Sequence, residues 1–113
     1  MPMKIPFLVL ALAATAAQAA PALRTPQAGV LCDRYFCADQ QGVSGELTRK
    51  YLGAEAAASL AAQGDFDRSA FTYANGVFCD TRERVCREDR YFDPDGKRSG
   101  AVDPVHTRLL FPQ

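Results

Sequence analysis

Residues 71–92 carry the clearest alternation of apolar and polar side chains in this chain. Aromatic residues alternate with polar ones from Phe71 onward, and the alternating segments meet at Asn75-Gly76. Asn-Gly is the dipeptide that most readily supplies the two positive φ angles of a type I′ turn. The pattern therefore predicts a β-hairpin with this turn, and residues 85–92 can return beside it as a third strand.

Two short motifs of this stretch also occur earlier in the chain. Residues 29–33 read GVLCD where residues 76–80 read GVFCD, and DRYF occurs at residues 33–36 and again at 89–92. The two repeated motifs differ in their position relative to the cysteines, because DRYF lies between the cysteines of the first half but beyond Cys86 in the second. We therefore expect two halves that are similar but not superimposable.

A helical period replaces the alternation in the stretch before the hairpin. Gly53 interrupts this period, which predicts two short helices, residues 45–52 and 54–63. Ser44 can cap the first helix, and Gly64 can close the second. The apolar stripe consists of Leu47, Tyr51, Leu52, Ala57, Leu60 and Ala61.

Shorter elements are predicted on both sides of these helices. Residues 30–32 and 35–38 are strand candidates, and residues 39–42, DQQG, have the composition of a turn. A last short helix should follow Asp103, which can act as N-cap with Pro104 at the first helical position. The apolar side of that helix would be formed by Val105, Leu109 and Leu110.

The first residues have the pattern of an export signal. Lys4 gives a positive start, an apolar run follows, and Ala17-Gln18-Ala19 fits the small-x-small cleavage rule. We predict a signal peptide over residues 1–19, and no integral membrane anchor, because the apolar run is short and rich in alanine. Residues 20–28 contain two prolines and little apolar periodicity, so a flexible N-terminal tail is expected.

Composition excludes some functions and sets the size of the fold. The 13 basic and 13 acidic residues balance, which leaves no electrostatic footprint for nucleic acid or an anionic membrane, and nucleic acid is not expected as a partner. No cofactor motif is visible, and we expect no cofactor. Residues 29–113 suffice for a single small α+β domain with antiparallel hairpins, whose modest core would need covalent support.

That support is expected from Cys32, Cys37, Cys79 and Cys86. All four follow the predicted cleavage site, and an even number of cysteines in an exported domain predicts two disulfides. Three pairings are possible; proximity favours Cys32–Cys37 with Cys79–Cys86, whereas bridges between the halves would restrict the unfolded chain more. A zinc site is the rival interpretation, but the CxxxxC and CxxxxxxC spacings and the single histidine disfavour it, and no metal is expected.

No catalytic constellation is visible. His106 is the one histidine and has no sequence neighbour that would orient it, so a solvent-facing helix residue is expected. Residues 93–96, DPDG, resemble part of a calcium loop, but Tyr91 and Val102 would fill positions that need oxygen ligands, which favours a plain turn. The serines match no nucleophile motif and the acids form no evident pair. We therefore expect no enzyme and name no catalytic residue.

The DRYF motifs are the best candidates for recognition. Along a strand, a guanidinium could stack on a neighbouring ring or bind a carboxylate. In the simpler interpretation, Arg34 and Arg90 tie the two halves together through such pairs. In the alternative interpretation, Arg34, Tyr35, Arg90 and Tyr91 form a surface that recognises a partner.

Four separated motifs together resemble the Fels prophage protein-like family of small exported bacterial proteins. They read GVLCDRYFC at residues 29–37, LTxxYLG at 47–53, FTxANGVFCD at 71–80 and CRxDRYF at 86–92. The resemblance implies a periplasmic or secreted protein and carries no activity. The leading hypothesis is a non-enzymatic binding or inhibitor-like module for an envelope protein or glycan. An envelope hydrolase that uses dispersed acids or His106, and a structural or stress-related envelope component, remain as alternatives.

Overall fold

A computed structural model describes residues 22–113, so the predicted signal peptide, residues 1–19, lies outside the described range. Within that range the chain is a small disulfide-bonded α+β domain, as the sequence predicted. Its elements in chain order are β1 (Arg24–Gln27), β2 (Val30–Cys32), β3 (Cys37–Asp39), β4 (Gly42–Ser44), α1 (Gly45–Leu52), α2 (Ala54–Ala61), β5 (Ala70–Thr72), β6 (Phe78–Asp80), β7 (Val85–Arg87) and α3 (Pro104–Leu110).

The strands form two antiparallel sheets. β1 to β4 lie in sequence order in the first sheet, and β5 to β7 lie in sequence order in the second. The sheets meet where the backbone N–H of Val43 donates to the carbonyl of Arg68, at 2.9 Å. The third strand begins at Cys37 rather than at Tyr35, because the side chain of Asp33 accepts hydrogen bonds that hold residues 33–36 in a turn.

Strand β1 lies where the sequence indicated a flexible tail, residues 20–28. It pairs with β2, with Gln27 opposite Val30, and all of its residues are exposed. Pro26 is compatible with this position because an edge strand needs hydrogen-bond donors on one side only. The strand therefore forms through pairing with β2 and has no apolar pattern of its own.

The core joins the two sheets through aromatic rings. Phe36 stacks on Tyr73 with ring centroids 4.9 Å apart and meets Phe71 edge-on at 5.8 Å. The hydroxyl of Tyr73 donates to the carbonyl of Leu31 at 2.8 Å. Burial raises the pKa of Tyr73 far above its ordinary value, so the hydroxyl remains a donor. A buried ring with a satisfied hydroxyl thus connects the first half of the chain to the second.

The hairpin between β5 and β6 is present, but its turn is not of type I′. Gly76 has a φ of 92°, whereas Asn75 is not among the residues with positive φ. Gly76 donates its N–H to the carbonyl of Tyr73, and the N–H of Tyr73 donates to the carbonyl of Val77. This pattern is that of a three-residue loop, in which a type I turn is followed by a glycine in a G1 bulge. Asn-Gly fits either turn, and the strand pairing selects the longer loop.

The helices begin where the sequence predicted. Ser44 caps α1 by accepting the N–H of Leu47, and Asp103 caps α3 by accepting the N–H of His106. Helix α2 ends at Ala61, short of the predicted residue 63.

The predicted apolar side of α3 is wrong at Val105 and Leu109. These residues are 61% and 38% exposed, whereas Leu110 is fully buried and Phe111, just after the helix, is 4% exposed. The helix therefore packs through its C-terminal end.

Both predicted disulfides are confirmed. Cys32 is bonded to Cys37 and Cys79 to Cys86, and in each pair the two cysteines lie directly opposite each other on neighbouring strands. All four side chains are buried, and the residues that the structure describes include no free cysteine. Each bond thus closes one local hairpin and leaves the joining of the two halves to noncovalent contacts.

The two halves build the same local unit. In each, the aspartate after the first cysteine, Asp33 or Asp80, accepts the backbone N–H groups two and three residues further on. The glycine that starts each GVxCD motif, Gly29 or Gly76, has a positive φ in the preceding turn. The repeated GVxCD motif therefore marks a repeated pattern of strand pairing.

The repeat extends to the helices. Cys37 donates its backbone N–H to the hydroxyl of Thr48 at 2.9 Å, and Cys86 donates to the hydroxyl of Thr107 at 2.8 Å. Each threonine lies four residues after the N-cap of its helix. In both halves a helical threonine thus satisfies the backbone beside the second cysteine, a group that would be costly to leave unpaired in the core.

The halves differ in the segment after the second cysteine. In the first half, Asp39 lies opposite Gly42, and residues 40–41 alone connect them. In the second half, Glu88 occupies the position of Asp39 and donates its N–H to the carbonyl of Ala101. Residues 89–100, which we call the ribbon, therefore stand where the first half has a short turn.

Candidate functional site

Asp33 joins the two halves beside the candidate site. Its side chain is buried, and one oxygen accepts the N–H groups of Tyr35 and Phe36 at 2.7 and 2.9 Å. The other oxygen accepts the N–H of Ala74, in the other half, at 2.7 Å. A carboxylate with three backbone donors fixes the turn that carries Tyr35 against the hairpin loop. Asp33 therefore makes the connection that the simpler interpretation of the DRYF motifs assigned to the arginines.

Arg34 and Arg90 instead lie over the tyrosines that follow them. Each guanidinium carbon is near the centre of the next ring, at 5.0 Å for Tyr35 and 5.6 Å for Tyr91. Neither arginine is within salt-bridge distance of a carboxylate of residues 22–113. Tyr35 is 56% exposed and Tyr91 60%. The stacking, worth about 0.5–1 kcal/mol at an exposed site, restrains both rings at the surface.

Two adjoining clefts bring these tyrosines to one surface. The first, of about 340 Å³, we call the apolar cleft because Val43, Leu60, Phe66 and Phe71 line it together with Tyr35. The second, of about 330 Å³, we call the ribbon cleft because Glu88, Asp89, Arg90 and Tyr91 line it. Thr72 and Ala74 line both clefts, which together form the twin-cleft surface.

The lining of the twin-cleft surface carries more negative than positive charge. Asp33 and Asp67 line the apolar cleft, and Glu88 and Asp89 outnumber Arg90 in the ribbon cleft. Hydrogen bonds from the Ser69 hydroxyl and N–H lower the pKa of Asp67.

Arg98 holds the ribbon against the second sheet. Its guanidinium carbon lies 4.2 Å from the ring centre of Phe78 and 4.0 Å from that of Phe92. It also donates to the carbonyl of Arg90 at 2.6 Å. At the tip, the predicted turn of residues 93–96 is present, with the N–H of Gly96 donating to the carbonyl of Asp93. Arg90 and Tyr91 are therefore presented on a braced segment.

His106 is oriented by a carboxylate, contrary to the expectation of a histidine without an orienting neighbour. Its Nδ1 lies 2.6 Å from an oxygen of Asp103, and the two side chains are 22% and 17% exposed. Asp103 is also the N-cap of α3, so the contact is local to the first turn of the helix. Sequence reasoning missed it because Asp103 had been assigned only a capping role.

Two kinds of feature are absent from the described part of the chain, a metal-binding cluster and a membrane-spanning helix. No group of three or more His, Cys, Asp or Glu side chains in residues 22–113 could hold a metal ion. Within the same range no helix has the length and apolar character needed to cross a membrane.

The fold and the twin-cleft surface define the chain as a small α+β domain with two hairpin disulfides and two exposed, arginine-stacked tyrosines. Residues 23–111 match the model of a family described as YcgJ protein, and the chain belongs to this YcgJ family. It is 54% identical over 89 residues to "Uncharacterized protein YcgJ" of Escherichia coli (strain K12), a match that covers 79% of this chain and 73% of that protein. No solved structure matches. These matches do not confirm the Fels prophage protein-like description that the motifs suggested.

Sequence reasoning named the two exposed tyrosines of the candidate site but not the residues that surround them. Tyr35 and Tyr91 were named from the DRYF motifs, and both line the twin-cleft surface. Thr72 and Ala74, where the clefts adjoin, had no signal beyond the alternation of a strand. The repeated aspartate after the first cysteine was visible, and its position beside a turn could have indicated the role of Asp33.

Proposed function

We propose that this protein is a non-enzymatic binding module of the bacterial periplasm, and that it recognises an envelope protein or glycan through the twin-cleft surface. The two disulfides support an oxidising compartment such as the periplasm, because such bonds persist there and are rare in the cytosol. The module would act as an inhibitor if its twin-cleft surface bound the partner protein at that partner's own functional site.

One observation carries the proposal. The two DRYF motifs are far apart in the chain, yet Tyr35 and Tyr91 line clefts that adjoin at Thr72 and Ala74. Tyrosine and arginine are enriched among the residues that dominate binding energy at interfaces. Each tyrosine loses little conformational freedom on binding, because its arginine already restrains it.

The test is retention of envelope components on the immobilised, oxidised protein. Wild-type protein should retain a discrete set of proteins or glycans from a periplasmic and membrane extract. The double variant Tyr35→Ala, Tyr91→Ala should lose that set, because both aromatic contacts are removed while the buried connection through Asp33 is left intact.

The matched control is Val105→Ala, which removes an exposed apolar side chain from α3 and not from the clefts. This variant should retain the same set as the wild type. Circular dichroism and thiol counting should establish that all variants are folded and oxidised. An identical set on the double variant would contradict the proposed surface, and no retention by the wild type would contradict the proposed function.

The contact between Asp103 and His106 supports a second candidate, an envelope hydrolase with His106 as a general base. A carboxylate on Nδ1 fixes the imidazole and leaves Nε2 as the basic nitrogen. A screen of the purified protein against peptidoglycan, ester and peptide substrates would test it. Any hydrolysis should be lost in His106→Ala, and activity that persists in this variant would exclude the assignment.

A further inference from the structure

We infer that the ligand of the twin-cleft surface is an extended peptide segment of a partner protein, with an apolar side chain for the apolar cleft and a lysine or arginine beside it for the ribbon cleft. This inference rests on the proposed binding function. It selects a protein over a glycan as the partner and assigns the chemistry of two ligand residues that stand two positions apart.

The apolar cleft provides the first position. Its lining includes Val43, Leu60 and Phe71, which belong to the hydrophobic core, and the partly buried Phe66. The cleft therefore opens onto core side chains. Filling it with an aliphatic or aromatic side chain would remove apolar surface from water, at about 25 cal/mol per Å². A sugar could offer the same lining only the C–H face of its ring, which would bury less apolar surface than such a side chain.

Charge selects the second position. Four carboxylates and one guanidinium belong to the lining of the twin-cleft surface. Three further guanidinium groups lie beside the lining: Arg34 stacks on Tyr35, Arg68 stacks on Phe66, and Arg82 is 3.6 Å from Asp67. The surface as a whole is therefore balanced in charge, and the excess of negative charge is confined to the ribbon cleft, where Glu88 and Asp89 outnumber Arg90. Glu88 is exposed in the ribbon cleft, and its carboxylate has no hydrogen bond or ion pair within the described residues. A cationic side chain of the ligand would supply the missing partner.

The arrangement of the clefts favours an extended backbone. The clefts adjoin at Thr72 and Ala74, so a ligand that enters both must pass over this strand end. Side chains two residues apart in an extended chain lie on the same side, about 7 Å from each other. Recognition through pockets for alternate side chains is a recurring mode of peptide binding.

Selection from a random peptide library displayed on phage tests the inference. With the oxidised protein as bait, we expect peptides in which an apolar residue and a lysine or arginine stand two positions apart. A synthetic peptide of the selected sequence should bind Glu88→Gln about two- to fivefold more weakly than the wild type, the range expected for one exposed ion pair. Glu55→Gln, the same charge change in the first turn of α2 and outside both clefts, should leave its affinity unchanged.

The outcomes separate this inference from the proposed function. Selected peptides without a basic residue, or with equal affinity for wild type and Glu88→Gln, would overturn the inference. Selection of no peptide would overturn it as well, and the proposed function would then stand only if envelope components were still retained through Tyr35 and Tyr91. Loss of binding in Tyr35→Ala, weaker binding by Glu88→Gln and unchanged binding by Glu55→Gln would together support both.

Discussion

The carboxylate of Asp33 shows how one buried charge can position a surface. Its three acceptor contacts all go to backbone N–H groups, two in its own turn and one in the opposite hairpin loop. The turn that results places Tyr35 outward and Phe36 inward, against Tyr73. A single residue thus determines both the exposure of the tyrosine and the packing of the core beside it.

Replacing Asp33 by alanine should reduce the free energy of unfolding by about 3 kcal/mol, because three backbone donors would lose a charged acceptor in a buried place. Urea denaturation of the oxidised protein measures this loss. Asp39→Ala is the matched control, since the Asp39 carboxylate accepts one exposed N–H, that of Gln41, and should cost less than about 1 kcal/mol. Equal losses in the two variants would show that Asp33 acts only as a local turn residue.

Asp103 should give the stability a dependence on pH. Burial disfavours its carboxylate, but hydrogen bonds from the N–H and the imidazole of His106 outweigh burial and hold the pKa of Asp103 below its ordinary value of 3.8. Because the pKa is lower in the folded than in the unfolded state, the stabilisation is present above 3.8 and is lost as the pH falls through the folded-state value.

Urea denaturation at a series of pH values from neutral to about 2 would measure this loss. Asp103→Asn, which keeps an oxygen for capping, should remove part of the decline at the acid end. Asp95→Asn, at the exposed tip of the ribbon, should follow the wild-type curve. If the free energy of unfolding of Asp103→Asn falls with pH as that of the wild type does, other carboxylates cause the acid sensitivity.

Among the elements, those with local signals were predictable and those made by pairing were not. The caps at Ser44 and Asp103 depend only on residues three positions away. Gly53, which interrupts the helical period of the sequence, is the residue at which α1 ends in the structure. Strand β1, in contrast, has no apolar pattern and exists only because β2 lies beside it. The loop at Gly76 was assigned to the wrong turn type because loop length follows from strand register.

The contact from the second cysteine to a helical threonine is the strongest shared feature of the two repeated units. Thr48 is fully buried, and Thr48→Val would leave the N–H of Cys37 without an acceptor, at a cost of about 1–3 kcal/mol in the free energy of unfolding. Thr107→Val should cost less because Thr107 is only partly buried. Both losses can be measured by urea denaturation.

Thr48→Ser is the control for this prediction. It keeps the hydroxyl that accepts from Cys37 and donates to the carbonyl of Ser44, and it loses only a methyl group. Its cost should therefore stay near 1 kcal/mol. A stability of Thr48→Val within about 0.5 kcal/mol of the wild type would mean that the N–H of Cys37 finds another partner.

For the whole molecule, the repeated unit explains why the second half could carry an additional segment. The first half closes its third and fourth strands with residues 40–41, and the second half keeps the same closure with Arg87 opposite Val102. The ribbon extends from the second sheet between Glu88 and Ala101, and it carries Arg90 and Tyr91, which line the twin-cleft surface. The two DRYF motifs lie on one surface because of this long-range arrangement, which no local sequence signal encodes.

Exchanging the ribbon for the turn of the first half should separate folding from binding. In this variant Gln-Gln replaces residues 89–100, and Ala101→Gly reproduces the end of the first-half turn. The pairing of Arg87 with Val102 and the hydrogen bond from Asp103 to the carbonyl of Cys86 lie outside the exchange. We expect a cooperative unfolding transition with both disulfides formed, and a loss of about 1–2 kcal/mol because the Phe78 ring is uncovered.

Retention of envelope components should disappear in the exchange variant, because the ribbon cleft is gone. The double variant Arg90→Ala, Tyr91→Ala in the intact ribbon should lose retention to a similar degree and keep nearly the full free energy of unfolding, since both side chains are exposed. Disulfide mapping and urea denaturation of the two variants provide the comparison. Failure of the exchange variant to form the Cys79–Cys86 bond would show that the second half needs the ribbon in order to fold. An exchange variant that folds and still retains the wild-type set would confine recognition to the apolar cleft, where Tyr35 and the first half of the chain would have to provide it alone.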